Sequence, residues 1–316
     1  MREMELNFVS ANRKTRINGV IWTPDERRPV AVLQISHGVT EHIGRYKQLA
    51  EYFTANGFAV IAHDHLGHGK SIAEGDEPMY FGHTGSWEYV VGDLAQMCSR
   101  SKKYFPGIPY YLLGFSMGSF VARQLLIEQP DLIDGGAILV GTGFAGEIEI
   151  FLGTYMANKE AKKVGENKTS PVIRQLTFGT YNKPFAHEPG ATDFEWLCSN
   201  KNALREYMND ELVGGTMTCG LFREMLYGMS FTRKLGNIKK MNKDLPVLFI
   251  SGGNDPVGEK GRGVRKAYKA FKKAGIKNVR MKLYEGMRHD VLHEEICGDV
   301  YRRVCRFIKT TKKSSY

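Results

Sequence analysis

The chain has 316 residues, of which 42% are hydrophobic and 25% are charged, and its mean hydropathy of −0.33 is ordinary for a soluble globular protein. No apolar run is long enough to span a bilayer, and no apolar stretch follows the charged N-terminus, so neither a membrane span nor a secretory signal is expected. The five scattered cysteines form no C-x-x-C pair, which argues against a zinc or redox motif and for reduced thiols in the cytoplasm.

The net charge of +10 is concentrated near the C-terminus. Residues 231–316 contain 22 Lys/Arg and 8 Asp/Glu, so the rest of the chain is net negative. Much of the excess lies in "EKGRGVRKAYKAFKKAGIK" (259–277), a candidate basic amphipathic helix. We expect a solvated outer helix face here, with contact to anionic lipid as the alternative. No nucleic-acid-binding motif accompanies the charge, so no nucleic-acid partner is expected.

In chain order, the first half alternates between strand-like and helix-like segments. The predicted strands are "MELNFVSA", "RINGVIW", "PVAVLQIS", "FAVIAHD", "PYYLLGF" and "GGAILVG". The predicted helices between them are "GRYKQLAEYFTANG", "SWEYVVGDLAQMCSRSKKYF" and "SFVARQLLIEQP". Such alternation predicts an α/β fold with a parallel sheet and helices on both of its faces.

The alternation of strand-like and helix-like segments stops after Gly143. Residues 144–240 are helix-like and contain no convincing strand, and the alternation then resumes with "LPVLFISGG" (245–253), the basic helix, "NVRMKLYEG" (278–286) and a last helix over about 290–309. The sequence therefore predicts one core domain built from residues 1–143 and 241–316, with residues 144–240 inserted between two strands of its sheet.

Ser116 stands in a G-x-S-x-G pattern, "LLGFSMGS", where a buried strand gives way to a helix. A serine in such a sharp turn is strained and exposes its hydroxyl above the carboxyl ends of the strands, and the small glycines let strand and helix approach closely. The helix N-terminus also favours developing negative charge. We interpret Ser116 as a nucleophile rather than a helix cap.

A serine hydroxyl needs an adjacent base and an acid that orients that base. His289, in "GMRHD" after the last predicted strand, lies at the same sheet edge as Ser116, whereas His293 is expected to face packing or solvent. Asp290 is a poor orienter because neighbouring side chains rarely meet. Asp255, in "SGGNDPVG", follows an earlier strand and completes the order serine, acid, histidine; its alternative role is that of a turn residue before Pro256.

A tetrahedral intermediate needs two backbone N–H donors. Met117, directly after the nucleophile, supplies one candidate. The turn "SHGVTEH" after the third strand supplies Val39 as the other, because Gly38 lets the chain turn tightly. His37 is expected to be a structural residue of this turn.

The histidine-rich stretch "AHDHLGHGKS" (62–71) is similar to a phosphate-binding loop and to a metal site, but it fits neither pattern. A phosphate-binding loop would need a glycine where Asp64 stands. The spacing of His63, His65 and His68 matches no standard metal site. A hydrogen-bonded structural loop is expected, and neither a metal nor an organic cofactor is required.

Taken together, "SHGVTEHIGRY", "HDHLGHGKS", "LLGFSMGS", "SGGNDPVG" and "GMRHD" resemble the monoacylglycerol lipase/lysophospholipase-like branch of the α/β-hydrolases, which is of serine aminopeptidase S33 type. The resemblance covers about residues 29–140 and 245–305. It implies an eight-stranded, mostly parallel sheet with a helical cap inserted after strand six, and a triad at Ser116, Asp255 and His289 with donors at Val39 and Met117. The 144–240 segment matches only loosely, and in that family the cap sets substrate choice.

The expected function is that of a serine carboxylester hydrolase acting on a small-molecule acyl ester such as monoacylglycerol or lysophospholipid, through an acyl-enzyme. One alternative keeps the triad but cleaves a peptide or carbon–carbon bond, and acidic cap residues such as Glu147, Glu149, Glu188 and Glu195 leave an aminopeptidase open. The other is a non-catalytic ligand-binding homologue. The oligomeric state stays open.

One face of the first helix in the insertion is apolar. Ile148, Phe151, Leu152, Tyr155 and Met156 share this face by their spacing. We expect the face to pack on the core domain; lining an acyl tunnel or touching a membrane are the alternatives.

Overall fold

A computed structural model describes residues 1–213 and 215–311 of the chain. Gly214 of the predicted insertion and residues 312–316 of the predicted core segment lie outside the described residues. The strands are β1 (Arg2–Glu5), β2 (Phe8–Val9), β3 (Arg16–Ile17), β4 (Gly19–Thr23), β5 (Val32–Ser36), β6 (Ala59–His63), β7 (Tyr110–Phe115), β8 (Gly136–Val140), β9 (Val247–Gly252) and β10 (Val279–Tyr284).

Helices follow most of the central strands. They are α1 (Lys47–Ala55), α2 (Trp87–Tyr104), α3 (Met117–Glu128), α4 (Glu147–Val164), α5 (Pro171–Arg174), α6 (Thr180–Asn182), α7 (Lys201–Asn209), α8 (Cys219–Arg233), α9 (Leu235–Ile238), α10 (Arg262–Lys273) and α11 (Cys297–Thr311). A 3₁₀ turn at Ile43–Tyr46 precedes α1, and a π-helical turn at Gln175–Gly179 joins α5 to α6. Among the described residues, none of these helices combines the length and apolar character needed to cross a membrane.

Eight strands form one sheet in the order β1-β4-β6-β5-β7-β8-β9-β10. The pairs β1–β4 and β4–β6 are antiparallel and the others are parallel. Strands β5 to β9 are buried along their whole length, because apolar layers containing α2, α3 and α10 cover one face and layers containing α1 and α11 cover the other. The predicted parallel sheet with helices on both faces is confirmed.

The opening of the chain differs from its prediction. Each of the two predicted strands is divided, because β1 and β4 join the large sheet whereas β2 and β3 pair in a small one. The chain crosses over at Leu6 and Gly19, where the Leu6 N–H donates to the Gly19 carbonyl and a Cβ on Gly19 would overlap Leu6. The alternating pattern continues through this crossover, so it does not show where each strand leaves the sheet.

Residues between β8 and β9 form α4 to α9, and β8 is the sixth strand of the large sheet along the chain. The expected packing of the apolar α4 face on the core is wrong, since Ile148 is 75% and Phe151 70% exposed. Instead α4 packs on α8 through its opposite side, where Ile150 and Ala157 are buried and Gly153 lies against Leu226. Small residues permit this close helix contact, and the larger apolar residues are left outside.

Candidate active site

Ser116 occupies the turn between β7 and α3. Its φ of 50° and ψ of −119° lie in a region that residues other than glycine rarely adopt. A Cβ on Gly114 would meet the start of α3, and one on Gly118 would overlap the backbone carbonyls of Ser36 and His37. The two glycines of the motif therefore bring strand, helix and the end of β5 together at the serine.

His289 and Asp255 come from later strand ends at the same edge of the sheet. His289 lies after β10 and Asp255 after β9, and both are buried. The Nε2 atom of His289 is 2.8 Å from Oγ of Ser116, and its Nδ1 atom is 2.9 Å from Oδ1 of Asp255. The structure thus places the three predicted triad residues in one hydrogen-bonded relay.

The surroundings of Asp255 determine which nitrogen of His289 carries the proton. Oδ1 of Asp255 also accepts the Val257 N–H at 2.9 Å, and Oδ2 accepts the Ser251 hydroxyl at 2.9 Å. An ionised carboxylate only accepts hydrogen bonds, so Nδ1 of His289 carries hydrogen and Nε2 is free to accept from Ser116. This is the tautomer that a general base requires.

Nearby anions raise the pKa of His289. Burial acts in the opposite direction, since it disfavours the imidazolium. The charge and hydrogen bond of Asp255, followed by the charges of Asp290 and Glu41, outweigh burial and leave the pKa above its ordinary value. A more basic imidazole is better able to take a proton from a hydroxyl.

The predicted oxyanion donors lie in two segments that touch each other. Gly118, one residue after Met117, packs against the carbonyls at the end of β5, and Gly38 lies against the Phe115 ring. The Gly38 N–H donates to Oε1 of Glu41 at 2.5 Å, which fixes the turn that leads into Val39. That the backbone N–H groups of Val39 and Met117 bind an oxyanion stays a prediction.

The histidine-rich loop is buried beside the end of β5. His37, His63, His65 and His68 form a cluster in which the rings of His37 and His65 lie 4.3 Å apart. Nε2 of His37 accepts the His65 N–H at 2.9 Å, and Nδ1 of His37 is 2.7 Å from the Gly38 carbonyl. In the described part of the chain, no group of three or more His, Cys, Asp and Glu side chains has the arrangement of a metal site. The two hydrogen bonds of His37 join the turn after β5 to the histidine-rich loop, as expected of a structural residue.

Sequence reasoning missed a buried set of charges near the site. Glu41, Arg45, Asp290 and His293 are linked by hydrogen bonds between the turn before α1 and the loop after β10, and Arg45 and Asp290 are 245 positions apart in the chain. The predicted last helix starts at Cys297 rather than near residue 290, so His293 lies in this loop instead of on a helix. The only local signal was the four-residue spacing of Glu41 and Arg45, which suits an ion pair.

A serine hydrolase with the α/β-hydrolase fold is the class that this sheet and this turn define. Residues 27–296 match the family described as serine aminopeptidase, S33, and the chain belongs to that family.

Individual relatives support the same assignment. The chain is 37% identical over 281 residues to a monoacylglycerol lipase of Mycolicibacterium smegmatis, covering 87% of this chain and 86% of the relative. It is 27% identical over 281 residues to a monoglyceride lipase of Homo sapiens, covering 87% and 80%. A solved structure of a thermostable carboxyl esterase from Bacillus coagulans, in complex with glycerol, matches with a TM-score of 0.89 and 26% identity over 98% of this chain and 99% of that one.

Proposed function

We propose that the chain is a serine carboxylester hydrolase that cleaves single-chain acyl esters such as monoacylglycerol or lysophospholipid. The observation that carries the proposal is the relay from Asp255 through His289 to Ser116, with distances of 2.9 and 2.8 Å, at a strained strand–helix turn. The similarity to lipases and an esterase supports an ester as the substrate. A metal or an organic cofactor is not needed for this chemistry.

The reaction proceeds in two halves. Oγ of Ser116 attacks the ester carbonyl carbon while Nε2 of His289 takes the hydroxyl proton, and the Val39 and Met117 N–H groups stabilise the resulting oxyanion. The C–O bond to the alcohol then breaks, and His289 returns the proton to the departing oxygen. In the second half, water loses a proton to His289, attacks the acyl-enzyme and releases the carboxylic acid, and Ser116 regains its proton.

We further propose that residues 144–240 act as a cap over this site. The Trp196 carbonyl accepts the His289 N–H at 3.4 Å, and the Trp196 ring lies 5.3 Å from the imidazole. Phe178 stacks on Trp196, and Tyr181 lies against the same ring. An aromatic wall beside the base suits an apolar acyl chain better than a polar substrate.

The contacts of the acidic cap residues disfavour an aminopeptidase. Such an enzyme needs a carboxylate available for the substrate's ammonium group. Glu147 pairs with Arg233, and Glu149 accepts the Gly146 N–H. Glu188 and Glu195 both pair with Arg288. Each of the four carboxylates therefore already has a partner in the protein.

Hydrolysis of p-nitrophenyl esters from acetate to palmitate tests the proposed function. We expect activity to peak at a medium or long acyl chain, because longer chains bury more apolar surface against the aromatic wall. Ser116→Ala supplies the background rate. A peak at acetate would restrict the enzyme to small esters. Wild-type rates equal to this background, with no labelling of Ser116 by a fluorophosphonate, would leave only a non-catalytic homologue.

We also propose that the enzyme docks on a lipid surface through the outer face of α4. Ile148, Phe151, Leu152 and Tyr155 are all more than half exposed on this face, and exposed lysines 159, 162 and 163 follow at the end of the helix. Apolar side chains that enter the acyl region and lysines that meet anionic head groups are typical of interfacial helices. Gly141, directly after β8, lies against the His289 ring, and residues 141–146 lead from there into α4, so docking of α4 would bring the lipid towards the site.

Sedimentation with phosphatidylcholine vesicles, with or without phosphatidylserine, measures this docking. We expect Phe151→Ser and Ile148→Ser each to weaken vesicle binding about tenfold, because each removes an apolar side chain from the lipid contact. Tyr104→Ser is the control, since Tyr104 is 52% exposed on α2 and is not part of the α4 face. If Phe151→Ser and Ile148→Ser bind vesicles as tightly as Tyr104→Ser and the wild type do, the α4 face is not the lipid contact.

For the compartment we propose the cytoplasm. All five cysteines are free thiols, and Cys98, Cys198, Cys219 and Cys305 are buried in the core. Thiols without disulfide partners suit a reducing environment.

A further inference from the structure

Two carboxylates, a guanidinium and an imidazole form a continuous buried chain of hydrogen bonds beside the triad. Nη1 of Arg45 donates to Oε2 of Glu41 at 2.7 Å, and Nη2 donates to Oδ2 of Asp290 at 3.0 Å. Asp290 in turn lies 2.8 Å from Nδ1 of His293. Glu41 and Asp290 are buried, and the side chains of Arg45 and His293 are only 9% and 14% exposed. We refer to these residues as the Arg45 network.

His293 closes this network, because its ring contacts both the Asp290 carboxylate and the backbone of Arg45. Nε2 of His293 is 2.9 Å from the Arg45 carbonyl, and Nδ1 faces the Asp290 carboxylate. A carboxylate and a carbonyl both accept hydrogen bonds, so both are suitable partners for an N–H of the His293 ring. The guanidinium of Arg45 lies between the carboxylates of Glu41 and Asp290, so this buried cation faces two anions.

The network joins the two backbone segments on which the proposed chemistry depends. At one end, Oε1 of Glu41 accepts the Gly38 N–H, directly before the proposed oxyanion donor Val39. At the other end, Asp290 is the residue directly after His289. Arg45 spans the gap between them, with one nitrogen on each carboxylate. The ring of Tyr207, from α7, lies under its guanidinium at 4.9 Å.

We propose that Arg45 and Asp290 are positioning residues that hold the loop of His289 in register with the oxyanion turn at Gly38–Val39. Their effect is on geometry: the base and the oxyanion donor must both fit one transition state, and small displacements of either are costly. The proposal rests on the proposed function, because it assigns these residues to that same reaction.

Two variants test the proposal, with activity expressed per site titrated by a fluorophosphonate. Asp290→Asn removes one anchor of the loop, and we expect kcat for a p-nitrophenyl ester to fall about 100-fold while KM changes little. Arg45→Lys keeps the charge, but one ammonium group does not reproduce a fork between two carboxylates, so a similar loss of kcat is expected. Because this second variant preserves the buried cation, it remains informative if Asp290→Asn folds poorly.

A matched control separates positioning from general destabilisation. Asp93 is also fully buried and accepts hydrogen bonds from Ser10 and Ala11, far along the chain from the site. Asp93→Asn is expected to lower the melting temperature without lowering kcat per titrated site. If Asp290→Asn and Arg45→Lys behave like this control, their role is structural only and the proposal is overturned.

The pH profile supplies a second readout. The anions that raise the pKa of His289 are Asp255, Asp290 and Glu41. Since the base must be neutral, removing the Asp290 charge is expected to move the acid limb of kcat/KM to lower pH in Asp290→Asn but not in Asp93→Asn. If the acid limb of Asp290→Asn stays at its wild-type pH, the Asp290 charge does not influence the pKa of His289. Wild-type enzyme without esterase activity or labelling would instead refute the proposed function itself, without reference to any of these variants.

Discussion

Replacement of Asp255 by asparagine is expected to lower kcat about 10³-fold, less than the roughly 10⁴-fold loss that accompanies a reversed histidine tautomer. The reason lies in the partners of Asp255. Its Oδ1 accepts from both His289 and the Val257 N–H, whereas Oδ2 accepts the hydroxyl of Ser251. An asparagine keeps its oxygen at the first position, because its amide group would otherwise point at the Val257 N–H. Nδ1 of His289 then remains a donor, and the loss comes from the missing negative charge.

Comparison with Asp255→Ala tests this account. Alanine removes the acceptor as well as the charge, so its kcat is expected to be lower still. Steady-state hydrolysis of one p-nitrophenyl ester gives both values, and the nitrogen chemical shifts of His289 report the tautomer directly. Equal losses in the two variants would show that the asparagine oxygen does not face His289.

The fold and the three triad positions could be predicted because both depend on short segments. Local pattern identifies the strand before each triad residue. Ser116 follows β7 directly, and Asp255 and His289 lie in the short loops after β9 and β10, which meet at one edge of a parallel sheet. The three residues could therefore be predicted to meet although they are far apart in the sequence. Gly118 is a second case in which a short motif was sufficient, because its backbone lies so close to the end of β5 that no side chain would fit there.

The Arg45 network could not be predicted in this way. Arg45 and Asp290 are separated by 245 positions, and Arg45 lies in the 3₁₀ turn at Ile43–Tyr46 rather than in a loop that directly follows a strand. Their pairing depends on how the 3₁₀ turn before α1 and the loop after β10 approach one another, which local periodicity does not show. The same limit applies to α4, because helical spacing shows that its apolar residues share a face but not whether that face meets protein or solvent.

Acidification is expected to unfold the protein between about pH 4 and 5, because four histidines are buried in neutral form. Burial lowers the pKa of His37 to about 4 and those of His63 and His68 to about 3, and it holds that of His65 well below its ordinary value. The unfolded chain binds these protons near pH 6.5 but the folded chain does not. Stability is therefore complete above pH 6.5 and is lost as pH falls, by about 1.4 kcal/mol per pH unit for each histidine. Asp93 acts in the opposite direction, because burial raises its pKa to about 6 and the folded chain therefore binds its proton more tightly than the unfolded chain. This offsets the loss of stability from about one histidine.

His63 allows this mechanism to be isolated. Neither of its ring nitrogens has a hydrogen-bond partner among the described residues, and its ring packs edge-on against Phe8. His63→Phe should therefore leave stability at pH 8 nearly unchanged while removing one titrating group, which moves the acid midpoint to lower pH and makes the loss of stability with pH less steep. His187→Phe, at an exposed position, is the control and should leave the slope as in wild type. Urea unfolding at a series of pH values measures both quantities. Equal slopes in His63→Phe and wild type would mean that His63 does not contribute to the acid sensitivity, because its protonation would then cost the folded state nothing.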